Sequence, residues 1–123
     1  MKQAFLIFLI AVLSCTETKT DKIKSFIPGT YVKHIVNEFN KGDDTLIISG
    51  LNDNMFRINR KSTFNRIREG KVMPLVSQSE TWSAMYNTEE QVLHEVQKGK
   101  VLSFLPDQNV LMVGASEYKK IKN

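Results

Sequence analysis

The sequence predicts an all-β fold, an antiparallel meander of about eight to ten short strands that closes into a small barrel or a sandwich. Three observations carry this expectation. From Phe26 onward, short segments rich in β-branched and aromatic residues alternate with Gly, Pro, Asn and Asp clusters at close spacing. No long stripe of helical period competes with them. The 123 residues are 41% hydrophobic and 24% charged, which suits one domain, and nine Pro and Gly without a repeated tract exclude collagen-like and low-complexity classes.

The chain opens with Lys2 and an apolar run from Ala4 to Leu13, closed by Ser14, Cys15 and the polar stretch Thr16 to Lys22. A membrane-spanning helix needs about 20 apolar residues, so this run has the length of a cleaved leader rather than of a permanent span. Val12-Leu13-Ser14-Cys15 resembles the lipobox of bacterial lipoproteins, in which the cysteine is acylated and becomes the new N-terminus. Cys15 is the only cysteine, so no disulfide or Cys-based metal site competes for it. The resemblance implies a signal peptide over 1–14, a lipid anchor on Cys15, and a cell-envelope location. Thr16 after the cysteine points to the outer membrane. Residues 15–25 read as a flexible tether, and 26–123 as a single β domain.

Within that domain Tyr31 to Phe39 alternates between two faces and forms the first strand, followed by a turn at Asn40-Lys41-Gly42-Asp43 and a strand over Thr45 to Ser49. Asn54 to Arg60 is a third strand. Thr63 to Arg68 and Lys71 to Ser77 flank a turn at Glu69-Gly70, with Pro74 confining the second to an edge or a bulge. Ser79 to Tyr86 places Trp82, Ala84 and Tyr86 on one face. Gln91 to Val96, Val101 to Leu105, Val110 to Val113 and Glu117 to Ile121 complete the series. The rival is a helix over Thr88 to Lys98, which would make the fold α+β with one helix near 88–98. Asn87 and Gly99 bracket that segment at hairpin distance, which favours a strand.

The lipobox, the Ile27-Pro28-Gly29-Thr30-Tyr31 approach to the first strand and the closing hairpin run to Ile121 make the chain similar to small lipocalin-like lipoproteins of the bacterial envelope. The resemblance implies a barrel with ligand or partner binding, and no activity.

The least random feature is basic. All four arginines, Arg57, Arg60, Arg66 and Arg68, fall within twelve residues, together with Lys61, and Lys71 follows closely. If the strand over Asn54 to Arg60 pairs with Thr63 to Arg68, these arginines gather on one face. Guanidinium forks grip carboxylate, phosphate or sulfate in two-point geometry, which suits an acidic glycan, a lipid headgroup or an acidic protein surface. The same charges also serve as a solvated face that guards a β-edge. Nucleic acid is not the expected partner, because net charge is only +4 and no recognition motif is present.

His34 and His94 sit singly in strands, so no metal or other cofactor is expected. Asp43 and Asp44 are adjacent and point apart, unlike a cooperating acid/base pair, and Asn52-Asp53-Asn54 is a turn without the ligands of a calcium loop. No nucleophile elbow, phosphate loop or dinucleotide fingerprint occurs, so nothing argues for an enzyme. Trp82, Tyr31, Tyr86 and Tyr118 are assigned to the core. The expected function is a non-enzymatic, lipid-anchored envelope protein whose basic face binds a protein partner or an anionic envelope component. The alternative is a carrier or sensor of a small apolar or aromatic ligand inside the barrel.

Overall fold

The computed structural model describes residues 19–123. It is a closed antiparallel barrel in which every strand pairs with its sequence neighbours and the last pairs with the first. The strands are β1 (Gly29–Val36), β2 (Asn40–Asn52), β3 (Met55–Arg68), β4 (Lys71–Asn87), β5 (Val92–Glu95), β6 (Val101–Leu105), β7 (Val110–Val113) and β8 (Ser116–Lys122). One short helix, α1 (Lys19–Phe26), precedes them. This is the all-β meander the turn spacing predicts, and the barrel that the resemblance implied.

Period-two alternation sends one face of each strand inward. Tyr31, Leu46, Ile58, Leu93, Leu102 and Leu111 are fully buried there, and Trp82, Ala84 and Tyr86 add the common face expected of them. Tyr118 is buried as well, so all four aromatic residues assigned to the core lie in it.

Three boundaries differ from expectation, each for a local reason. The first turn lies at residues 37–39, before Asn40, because the Asn37 side-chain carbonyl accepts hydrogen bonds from the Phe39 and Asn40 amides (2.8 and 2.9 Å). Gly42 is thereby inside β2, where its backbone lies so close to Thr63 and Phe64 that a Cβ has no room. Residues 54–60 and 63–68 are not two paired strands but one, β3, and 71–77 and 79–86 likewise merge into β4. Asn59 pairs with Thr81 and Thr63 with Ser77, so the hairpin bends only at Glu69-Gly70, both with positive φ. Pro74 falls at the irregular register opposite Asn65 to Ile67, where a missing N–H costs least.

The segment 88–98 is not a helix. The Asn87 side chain accepts from the Glu89 and Glu90 amides, Gln91 takes a positive φ, and the chain returns as β5. The helix forms instead at 19–26, where a flexible tether was expected. Its last turn is held by the barrel: Tyr31 Oη donates toward the carbonyls of Phe26 and Ile27 (2.9 and 2.8 Å), and the Lys120 ammonium meets the Phe26 carbonyl. Phe26 packs edge-on against Tyr31 and Phe104, at ring centroid distances of 5.9 and 6.2 Å. The leader, Cys15 and the first residues of the tether lie outside the described residues.

α1 and Ile27 close one end of the barrel. At the other end the strands are unequal: β2, β3 and β4 have 13, 14 and 17 residues, whereas β5, β6 and β7 have 4, 5 and 4. The long strands therefore rise above the short ones as a curved wall, and β4 pairs with β5 only from Ala84 to Asn87.

Candidate functional site: an arginine-rimmed barrel mouth

The concave side of that wall encloses an open cavity of about 510 Å³. β3 supplies most of it through Arg60, Ser62, Phe64, Arg66 and Arg68. Ile35, Phe39 and Asn40 face them from the first hairpin, and Ile67 and Gln78 complete the lining. Arg66, Ile67 and Arg68 all border the cavity at the end of β3, where the register with β4 shifts.

The floor is a saturated ionic cluster. Asp44, 3% exposed, accepts a two-point grip from Arg60 (Nε to Oδ1 2.9 Å, Nη2 to Oδ2 2.8 Å), plus the hydroxyls of Ser62 at 3.0 Å and Tyr118 at 2.8 Å. Arg60 also donates through Nη1 to Glu80 at 3.1 Å, and the Trp82 indole N–H donates to the other Glu80 oxygen at 2.7 Å. Burial pushes the Asp44 carboxyl up, but the hydrogen bonds from Arg60, Tyr118 and Ser62 and the Arg60 charge outweigh it and hold it below the usual carboxylate range. The Asp44 hydrogen bond raises Arg60 further, so this cation stays charged and committed. The Trp82 indole holds Glu80 below its ordinary value, with help from the Arg60 charge.

The rim is different. Arg66 and Arg68 are exposed, and neither has a carboxylate within ion-pair reach among the described residues. The Arg66 guanidinium lies over the Phe64 ring, 5.6 Å from its centroid.

The predicted basic set is thus divided. Arg60, Arg66 and Arg68 border the mouth, but Arg60 belongs to the floor cluster. Arg57 and Lys61 are exposed at odd positions of β3, alternating with the inward Phe56, Ile58 and Ser62. Lys71 faces Arg68 across the hairpin turn. Because β3 is one strand, Arg57 lies nine residues from Arg66, about 30 Å along an extended chain, and the gathering expected from a 54–60/63–68 hairpin does not occur.

The histidines pair with carboxylates from neighbouring positions, His34 with Asp43 and His94 with Glu90, and no group of three metal-binding side chains occurs among the described residues. Asp44 is the site residue that sequence reading missed. The signal was present: Asp44, Leu46 and Ile48 share the inward parity of β2, so a charge at 44 needed an interior partner. No protein-family model matches the chain, and neither the curated proteins nor the solved structures compared with it provide a match.

Proposed function

We propose that this chain is a non-enzymatic binding protein of the bacterial envelope, held to the outer membrane by acylated Cys15, that captures an anionic component in the mouth of its barrel. The lipobox-like Val12-Leu13-Ser14-Cys15 supports the anchor. One observation carries the binding: two arginines without acidic partners share a cavity in which the third arginine is already neutralised. Guanidinium pairs of this kind recognise carboxylate, phosphate or sulfate through two-point hydrogen bonds. The outer-wall cations Arg57 and Lys61 take no part.

The alternative, an apolar ligand deep inside a lipocalin-like barrel, is less favoured, because Leu46, Ile58, Leu93, Leu102 and Leu111 occupy that interior. Titration of 15N-labelled protein with inorganic phosphate tests the reading. The Nε–Hε signals of Arg66 and Arg68 are expected to move together with one dissociation constant, and that of Arg57 to stay in place. Equal movement at Arg57, or none at the two rim arginines, overturns it.

A further inference from the structure

Resting on the reading that Arg66 and Arg68 take an anion, we propose that the mouth is built for a small amphipathic anion free in solution, its carboxylate or sulfate-like head on the two arginines and its alkyl or aromatic body along Phe39, Phe64 and Ile35. The walls carry this. Besides the side-chain amides of Asn40 and Gln78, the cup sets Ile35 and Phe64 between its charged rim and its floor, and Phe39 and Ile67 beside the rim arginines, a more apolar lining than a bare inorganic ion needs. Phe39 is 65% exposed beside the cavity, so its ring has apolar surface left to cover a ligand. At about 510 Å³ the cavity has the size of small-molecule sites, which combine apolar walls with a few placed polar groups.

The floor fixes which way round the ligand lies. Arg60 is already gripped by Asp44 and Glu80, and the Ser62 hydroxyl is already given to Asp44. Among the described residues the floor holds no uncommitted cation for a second anion, so the head stays at the rim and the apolar body points inward. The source follows from chain direction. β1 runs from the closed end, where α1 joins it, toward the mouth at Ile35, so α1, the segment next to Cys15 in sequence, and the cavity lie at opposite ends of the barrel. A barrel tethered through that segment offers its mouth to the solution and not to the bilayer that holds it.

The test is a series of unbranched carboxylates, acetate, butanoate, hexanoate and octanoate, kept below micelle formation and read by the Arg66 and Arg68 signals and by calorimetry. Affinity is expected to rise up to about fourfold per added methylene until the walls are covered. Phe39→Ser should flatten the series while phosphate still moves both arginines. Its exposed ring makes it a safe substitution for folding, and Phe64→Ser should act in the same direction. A flat wild-type series with phosphate shifts intact overturns the amphiphile and leaves the anion reading standing. Silence of both arginines toward every probe overturns both. Sedimentation with phosphatidylglycerol vesicles but no binding of octanoate also overturns the proposal, since the head would then be one displayed by a membrane.

Discussion

The Tyr118 hydroxyl donates to the Asp44 carboxylate at 2.8 Å, joining β8 to β2 across the barrel interior over 74 positions of sequence. Arg60 and Ser62 reach the same carboxylate from β3, so a single buried anion ties three strands together. Asp44→Ala should cost about 2–4 kcal/mol, somewhat less than orphaning a fully buried charge, because Arg60 retains partial contact with solvent. Tyr118→Phe should cost about 1 kcal/mol, the value of one hydrogen bond. Urea denaturation with an unchanged slope checks both, and the double variant should fall short of the sum.

Stability should also decline in acid. Asp44 and Glu80 are both held below their ordinary values of 3.8 and 4.5 in the folded chain. A carboxylate with a depressed folded value contributes its full stabilisation above its unfolded value and loses it as pH falls through the folded one. Melting temperature is therefore expected to be insensitive to these groups above about pH 5 and to drop progressively below pH 4. Asp44→Asn should show a lower plateau and a shallower acid limb in a series of melts from pH 7 to pH 2.

Gly42→Ala should destabilise by about 1–3 kcal/mol or more, because the new methyl meets the Thr63 carbonyl oxygen and the Phe64 Cα, which are backbone atoms of a paired strand. Gly70→Ala meets no atom and should cost only the strain of its positive φ, about 1 kcal/mol. The two denaturation midpoints should separate crowding from conformational strain.

Tyr31→Phe should loosen α1 while keeping the barrel. The ring still fills the core, but the carbonyls of Phe26 and Ile27 lose their hydroxyl donor. Faster hydrogen exchange at the Ile27 amide, which bonds back to Ile23, is the expected sign, with little change at Leu46 or Ile58.

Cys15→Ser should convert a membrane-bound, acylated protein into a soluble or unprocessed one. Intact mass and membrane fractionation of the two forms side by side check it. An unmodified, soluble wild type would remove the anchor from the proposed function and leave the mouth untouched.

What the sequence made legible was local. Alternation placed Trp82, Ala84 and Tyr86 inward, and Glu69-Gly70 marked a hairpin, because both signals need only neighbouring residues. Strand length was less legible: Lys61-Ser62 and Gln78 look like interruptions by composition, yet the antiparallel partner carries the chain through them. The first turn moved because the Asn37 side chain organises it, a preference that outweighs the glycine at 42. α1 was invisible because its helix is stabilised by Tyr31, Phe104 and Lys120, all distant in sequence. The arginine cluster was correct as a composition and divided as a place. Only the hydrogen bonds from Arg60 to Asp44, on the diagonal between β3 and β2, reveal which cation is spent and which two are left.

The seam between β1 and β8 has its own consequence. Thr30 lies opposite Lys122, so the two ends of the β domain are neighbours at the closed end, and every other pairing joins consecutive strands. Seven hairpin contacts can assemble from short loops, and only this one demands that the whole domain come round. The ring should close last at that seam. Joining those ends through a short linker and cutting the exposed 96–100 turn would move the late step to β5 and β6 and leave the wall and its mouth as one unbroken stretch of chain.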